Sequence, residues 1–343
     1  MFLLKRKKKD DDEDLDSDEE LKPGKKRERK KKKEPPKPWG KAERYLVLGV
    51  LLGSVVASLI LALYARSWKL PGLPRISLPQ DAFEETFVLE GKPSKVEVSE
   101  EVIRRFTEAT RESSGVYGLY VIQLSSGTSF GISENEPFQA ASLIKLPVMS
   151  ALYEDSEKRK IDLEDTHSLV EIDKVSGSGS LYYEPAGTIL TYRKLVELMG
   201  KQSDNTAFNI VRQLLGDDSI QKYIDEIGMR DTSLETNMTT PRDIGIFLRK
   251  LWEGRLVNSA NKEEILESLT DTIYEDWIPK GIPDDIEVAH KFGRELHVVN
   301  DAGVVRAKRP YVLVLLTKGV VETEADKLIP ELAKIVHETL ESF

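Results

Sequence analysis

Cysteine is absent from the 343 residues, and histidine occurs only four times. The first absence excludes a disulfide scaffold, a thiolate zinc site and a cysteine nucleophile. The histidines form no H-E-x-x-H motif, although His290 and His297 stand on either side of a short segment that contains Lys291. We therefore expect no metal site and no other cofactor.

The lack of a phosphate-binding loop and the negative net charge narrow the classes of ligand that the protein could bind. No glycine-rich loop of the kind that cradles phosphate groups is present. The net charge of −9 does not favour nucleic acid as a partner of the chain as a whole.

Charged residues are also missing from residues 45–65, YLVLGVLLGSVVASLILALYA, which Arg44 and Arg66 bracket. About 20 apolar residues at 1.5 Å rise per residue span a hydrocarbon core of about 30 Å. Lysine and arginine are dense before this run and sparse after it, which predicts a cytoplasmic N-terminus. We expect a single-pass protein of the cell membrane whose larger part is extracytoplasmic.

Composition divides the rest of the chain into three further segments. Residues 1–44 consist of blocks of like charge, which predicts a disordered cytoplasmic tail. Its basic run could bind anionic lipid or nucleic acid, but a role in membrane orientation and solubility is the favoured interpretation. Residues 66–94 are proline-rich and are interpreted as an extracytoplasmic linker. A globular domain is expected over residues 95–343.

The order of periodic segments predicts the fold of this domain. A helix begins near residue 95, and GVYGLYVIQLSSGTSFGIS alternates around a Ser-Gly turn, as in a β-hairpin. Helical patterns dominate from about residue 142 to residue 271, and three strands and a C-terminal amphipathic helix follow. We expect an α/β (α+β) fold, with an antiparallel five-stranded sheet flanked by helices and an inserted all-helical subdomain.

The segment ASLIKLP, residues 141–147, places Ser142 and Lys145 three residues apart in apolar surroundings. On a helix these side chains share one face. A serine hydroxyl becomes an effective nucleophile beside a base, and burial can lower the pKa of a lysine enough to supply one. By itself the pattern is more often a capping serine and a solvated lysine, so it does not establish a catalytic pair.

Two later segments favour the catalytic interpretation. Ser203 and Asn205 belong to the sequence SDN at the start of a predicted helix, where they could relay a proton and hold a substrate amide. HKFG, residues 290–293, ends a predicted strand. There Gly293 would let the substrate approach the strand and Lys291 would attract a carboxylate.

S-x-x-K, S-D-N and a K-x-G near the last strands, in this order, resemble the signature of the penicillin-interacting serine enzymes. Residues from about 95 to 343 resemble the class A β-lactamase branch. The resemblance implies that Ser142 is acylated, with Lys145 as the general base or part of its relay and Ser203 as proton relay. It further implies substrate binding by Asn205 and Gly293, and for Lys291 either binding of the substrate carboxylate or tuning of Ser203. Asp204 would be structural, and the backbone N–H groups of Ser142 and Arg294 would form the oxyanion hole.

The sequence departs from the family pattern at two places. Hydrolytic members carry E-x-x-L-N on a loop whose Glu activates the deacylating water, whereas Glu235 and Asn237 lie only two residues apart in a shortened loop. Phe292 replaces the Ser or Thr of K-[ST]-G, so a hydroxyl that would bond a β-lactam carboxylate is missing. Glu235 is therefore a weak candidate, as is Tyr182, which could line the cleft or serve only as packing.

Three hypotheses follow. The preferred one is a membrane-anchored, peptidase-like or slowly deacylating serine enzyme that acts on β-lactams or D-Ala-D-Ala cell-wall peptides. The second is a true β-lactamase with another base, such as Glu171 or Glu235. The third is a catalytically silent wall-binding module. It is disfavoured because a silent protein has no need for all four polar residues of the two motifs: Ser142, Lys145, Ser203 and Asn205.

Overall fold

The computed structural model describes Gly40, Ser54, Val56 and residues 95–342. The chain divides into two units, residues 1–87 and 88–343, and only the second is described at length. The predicted tail, membrane span and linker therefore lie outside the described residues, apart from Gly40, Ser54 and Val56. Ser54 and Val56 are helical and exposed. Within the described part of the chain, no helix combines the length and the apolar character needed to cross a bilayer.

The second unit contains nine strands among the described residues. They are β1 (Val116–Gln123), β2 (Ser129–Ile132), β3 (Phe138–Gln139), β4 (Thr166–Ser168), β5 (Ile189–Thr191), β6 (Met238–Thr239), β7 (Val288–Glu295), β8 (Val298–Val305) and β9 (Tyr311–Lys318). Five of them form one sheet in the order β2-β1-β9-β8-β7, with every neighbouring pair antiparallel. The predicted five-stranded antiparallel sheet is confirmed, and β7 lies at its edge.

The α-helices of this unit are α1 (Lys95–Thr110), α2 (Lys145–Glu157), α3 (Tyr192–Lys201), α4 (Asn205–Leu215), α5 (Asp217–Glu226), α6 (Pro241–Trp252), α7 (Ser259–Glu267) and α8 (Glu322–Ser342). Helices α2 to α7 all lie between β2 and β7 in the chain, as expected for an inserted helical region. The C-terminal helix was also predicted correctly. Two small two-stranded sheets, β3 with β6 and β4 with β5, were not predicted, because strands of two or three residues carry too little alternation.

Both faces of the large sheet are buried. On β1, Leu119 and Val121 face a core shared with α1 and α8, whereas Tyr120 and Ile122 face the core shared with the helical region. Successive side chains of a strand point to opposite faces, so one strand contributes to both cores. Full burial on two faces makes this sheet a stiff support for its edge strand β7, most of which is itself buried.

Candidate active site

Ser142 lies in a 3-10 turn, Ala141–Ile144, that leads directly into α2. Ala141 has a positive φ of 50°, a conformation that is costly for a residue with a side chain and needs support from its surroundings. Hydrogen bonds supply this support. The Ala140 N–H donates to the Asn237 carbonyl at 2.8 Å, and Asn300 Nδ2 on β8 donates to the Ala140 carbonyl at 3.3 Å. The turn that presents Ser142 is thus fixed from two sides.

Lys145 lies beside Ser142 and is only 2% exposed. Its Nζ is 3.1 Å from Ser142 Oγ, 2.5 Å from the Ser203 carbonyl oxygen and 2.8 Å from Asn205 Oδ1. Ser203 Oγ follows at 3.3 Å. The structure therefore brings together the nucleophile, the lysine and the two polar residues of the SDN segment that the sequence predicted.

Burial lowers the pKa of Lys145 to about 7, although the nearby Asp204 carboxylate acts in the opposite direction. A substantial fraction of this amine is consequently neutral at neutral pH. A neutral amine can donate to the two carbonyl-type oxygens of Ser203 and Asn205 and keep its lone pair for the Ser142 hydroxyl. This arrangement suits a general base.

The SDN segment positions these groups through Asp204, which is fully buried and caps α4. Its two carboxylate oxygens accept from the backbone N–H groups of Ala207 at 2.8 Å and Leu181 at 2.9 Å. Gly179 makes the second contact possible, since a Cβ there would lie 2.1 Å from Asp204 Oδ2. The structural role expected for Asp204 matches these contacts.

Asn205 is engaged at both ends of its amide. Oδ1 accepts from Lys145, and Nδ2 donates to the Ser176 carbonyl at 2.9 Å. In this structure Asn205 therefore orients Lys145, and binding of a substrate amide would require exchange of one of these contacts.

The edge strand β7 approaches the nucleophile at Gly293. A Cβ on this residue would lie 3.0 Å from the backbone nitrogen of Ser142 and 2.9 Å from Leu143 Cδ1, so glycine allows the close approach. The His290 N–H bonds to the Leu269 carbonyl at 2.8 Å, away from β8. Because N–H directions alternate along a strand, the Arg294 N–H also points away from β8, at the edge where Ser142 lies.

Lys291 is fully buried rather than presented to solvent. Its Nζ donates to the Phe292 carbonyl at 2.9 Å and lies 4.0 Å from the centroid of the Phe292 ring. Burial, reinforced by the charge of Lys145, holds the pKa of Lys291 well below its usual range. The two roles expected for this lysine, carboxylate binding and tuning of Ser203, both stay predictions.

A buried cluster behind β7 was not predicted from the sequence. His290 Nδ1 lies 2.8 Å from Asp301 Oδ1, and its Nε2 lies 3.3 Å from Glu275 Oε1. Burial opposes a charge on His290, but the two carboxylates outweigh it and raise the pKa of His290 to about 9. The sequence feature that could have revealed this cluster is the pair Asn300 and Asp301 in the otherwise apolar strand VVNDAGVV.

The weaker candidates lie elsewhere. Glu235 is exposed and lines a surface cavity with Asp217 and Arg230. Glu171 is exposed and paired with Lys174 at 2.9 Å. Tyr182 is 38% exposed and contacts the Tyr183 ring edge-on, with centroids 5.2 Å apart. Among the residues described, no three His, Asp or Glu side chains are arranged to hold a metal ion.

Comparison with known proteins decides the family. The profile described as "Beta-lactamase enzyme family" matches residues 100–340, which is most of the chain. The chain belongs to the beta-lactamase enzyme family. It is accordingly a serine hydrolase, and the motifs around Ser142 lie in the part of the chain that the profile covers.

Individual relatives are distant but similar over most of their length. Beta-lactamase 3 of Bacillus cereus is 25% identical over 256 residues, which cover 68% of this chain and 80% of the relative. A beta-lactamase of Streptomyces lavendulae is 26% identical over 239 residues, covering 63% and 78%.

Solved structures agree with this assignment. A beta-lactamase from Sphaerobacter thermophilus has a TM-score of 0.67 and 26% identity, covering 71% of this chain and 98% of the neighbour. PBP-A has a TM-score of 0.67 and 24% identity, covering 73% and 97%. The fold is therefore shared over about seven tenths of the chain.

Proposed function

We propose that the protein is a membrane-anchored serine hydrolase that forms an acyl-enzyme at Ser142 with β-lactams or D-Ala-D-Ala-type cell-wall peptides and releases the acyl group slowly. The observation that carries this proposal is the 3.1 Å contact between Lys145 Nζ and Ser142 Oγ. It occurs in a site that lowers the pKa of the lysine to about 7. A base poised near the working pH is what nucleophile activation needs.

Acylation follows from this geometry. Ser142 Oγ bonds to the substrate carbonyl carbon while its proton passes to Lys145 Nζ. The oxyanion that forms is placed between the backbone N–H groups of Ser142 and Arg294. The C–N bond then breaks, and the proton passes from Lys145 to the leaving nitrogen through Ser203 Oγ, which lies 3.3 Å from Lys145 Nζ.

Slow deacylation is supported by the groups that surround the nucleophile. The described partners of Lys145 are hydroxyl, carbonyl and amide oxygens, and none of them is a carboxylate. Glu235 lines a separate cavity, and Glu171 is paired at the surface. A deacylating water would thus depend on Lys145 alone. A PBP-A variant that shares the fold at 24% identity is known as an acyl-enzyme complex with penicillin G.

A true β-lactamase is the second candidate, because the curated relatives described above are beta-lactamases. In that case a base other than the Glu of the family's E-x-x-L-N motif must activate the deacylating water. A silent wall-binding module is disfavoured, since it has no use for a lysine held at 3.1 Å from a serine hydroxyl.

One experiment separates these candidates. The full-length protein and its Ser142→Ala variant are incubated with a fluorescent penicillin and, separately, with a chromogenic cephalosporin. Stable Ser142-dependent labelling with little colour change supports the slow acyl-enzyme. Rapid colour change that requires Ser142 supports the β-lactamase, and labelling that is equal in both proteins contradicts acylation at Ser142.

Membrane attachment rests on the uncharged run 45–65 between Arg44 and Arg66. A charge near the centre of a spanning helix costs about 2.5–3.5 kcal/mol, so Leu52→Arg is expected to release protein from the membrane fraction. Externally added protease should digest the domain after residue 95 in cells with a permeabilised outer layer and leave the tail intact. Digestion of the tail alone would contradict the proposed orientation.

A further inference from the structure

The second donor of the proposed oxyanion hole lies on a strand that the sheet pairs on one side only. β7 is the last strand of the order β2-β1-β9-β8-β7, and within that sheet it bonds to β8 alone. Arg294, whose backbone N–H is the donor, is the next-to-last residue of β7. The position of this N–H relative to Ser142 therefore depends on contacts that β7 makes outside the strand pairing.

Glu295, the last residue of β7, makes such contacts. Because successive side chains of a strand alternate between its two faces, Glu295 lies on the face of Gly293, the residue that approaches the backbone nitrogen of Ser142. Glu295 Oε2 accepts a hydrogen bond from Gln139 Nε2. Its Oε1 accepts from Asn237 Nδ2 at 3.3 Å. One carboxylate thus bonds to two residues that lie outside the large sheet.

Both partners of Glu295 belong to the support of the turn that carries the nucleophile. Gln139 ends β3 directly before Ala140, and its carbonyl accepts from Asn300 Nδ2 at 2.7 Å. The Asn237 carbonyl accepts from the Ala140 N–H at 2.8 Å. The Glu295 carboxylate therefore links the strand that carries one oxyanion donor to the two segments that position the other donor.

The opposite face of β7 is held by a different pair. Arg294 Nη1 and Nη2 donate to the two carboxylate oxygens of Asp326 on α8 at 2.7 and 2.9 Å. Asp326 also accepts from Trp277 Nε1 at 3.1 Å. These contacts fix the distance between β7 and α8, whereas the contacts of Glu295 fix the distance between β7 and the nucleophile's turn.

We propose that Glu295 is a positioning residue for the oxyanion hole, because its carboxylate sets the distance between the backbone N–H groups of Arg294 and Ser142. The inference rests on the proposed acylation of Ser142 and adds a residue that none of the three motifs contains. Removal of one oxyanion donor costs about 100- to 1,000-fold in rate. Displacement of a donor that is still present costs less, so loss of the carboxylate is expected to lower the maximal acylation rate about tenfold.

The test follows acylation of the full-length protein by benzylpenicillin at several concentrations, with rapid quench and intact-protein mass spectrometry. Such data separate the maximal acylation rate from the apparent dissociation constant of the complex that precedes acylation. Glu295→Ala should lower the maximal rate about tenfold and change the dissociation constant by less than about twofold. Glu295→Gln keeps one acceptor oxygen and should recover part of the lost rate.

The possible failures of this experiment are distinguishable. Equal maximal rates in wild type and Glu295→Ala overturn the inference and leave acylation of Ser142 intact. A loss that appears only in the dissociation constant also overturns it, because a displaced oxyanion donor acts on the transition state. If the wild-type protein is not acylated, the proposed function fails and the inference falls with it.

Glu287→Ala is the matched control. Glu287 is an exposed residue directly before β7, at the end opposite Glu295, and its Oε1 lies 2.9 Å from Arg306 Nε. This variant should acylate at the wild-type rate. Gln139→Ala removes one of the two hydrogen bonds from the partner side and should cause part of the loss. The double variant Gln139→Ala/Glu295→Ala should be no slower than Glu295→Ala, and additive losses contradict a shared contact.

An infrared measurement separates the positioning role from a general loss of structure. Hydrogen bonds from the oxyanion hole polarise the acyl carbonyl and lower its stretching frequency. In isotope-edited difference spectra of the acyl-enzyme, made with benzylpenicillin labelled with ¹³C at the β-lactam carbonyl, Glu295→Ala should move this band to higher frequency. Glu287→Ala should leave the band in place. A band that is unchanged in Glu295→Ala contradicts the role given to Glu295.

Discussion

The pH dependence of acylation tests the role of Lys145 in detail. With a pKa of about 7, roughly a tenth of the amine is neutral at pH 6 and roughly nine tenths at pH 8. If the neutral amine takes the Ser142 proton, the acylation rate should rise about tenfold over this interval and then level off. A lysine with an ordinary pKa near 10.5 would instead give a rise of about 100-fold that continues past pH 8.

The assay uses benzylpenicillin methyl ester, which carries no carboxylate to titrate, and follows acyl-enzyme by rapid quench and mass spectrometry. Asp204→Asn adds an independent shift, because the Asp204 charge raises the pKa of Lys145. Its removal should move the midpoint to lower pH while the Asn side chain still caps α4. A rate that is constant from pH 6 to 8, or that climbs about 100-fold, would refute Lys145 as a base tuned by burial.

Three further predictions concern the supports of the site. Gly293→Ala should slow acylation about 10- to 100-fold with little loss of stability, because its Cβ would lie 3.0 Å from the Ser142 nitrogen and displace the oxyanion donors; wild-type rates would contradict this. The pKa of His290 is raised to about 9 in the folded state. The protonated imidazole therefore stabilises the fold fully below about pH 6.5, and this stabilisation is lost as pH rises through 9. In urea melts, the difference in unfolding free energy between wild type and His290→Gln should shrink by roughly 3 kcal/mol over that range. Asn300→Ala should cost about 3 kcal/mol of unfolding free energy, because its amide bonds the Ala140 carbonyl and the Thr317 N–H in the interior; a cost below about 1 kcal/mol would exclude Asn300 as the support of the Ser142 turn.

Local pattern predicted most of the fold. The apolar runs of β1 and β9 and the apolar stripe of α8 extend over eight or more residues, and such segments can be assigned from sequence. The short strands β3 and β6 escaped prediction because their pairing depends on contacts between residues about a hundred positions apart.

The part of the candidate site that could be predicted lies in sequence motifs whose residue types themselves indicate a reaction. The S-x-x-K and SDN segments do so, and the structure brings Ser142, Lys145 and Ser203 within hydrogen-bond reach. The environment of each group was harder to foresee. The burial of Lys291 and the pairing of Arg294 with Asp326, 32 residues away, depend on tertiary packing that no local pattern encodes.

The central claim is that Ser142 carries a long-lived acyl group. The most direct measurement incubates the full-length protein with benzylpenicillin methyl ester and, after proteolysis, locates the adduct by tandem mass spectrometry over a time course. The account predicts one adduct per chain on the peptide that contains Ser142, abolished in Ser142→Ala and persisting long after free reagent is removed. An adduct on another residue, or one at Ser142 that disappears as fast as it forms, would contradict it.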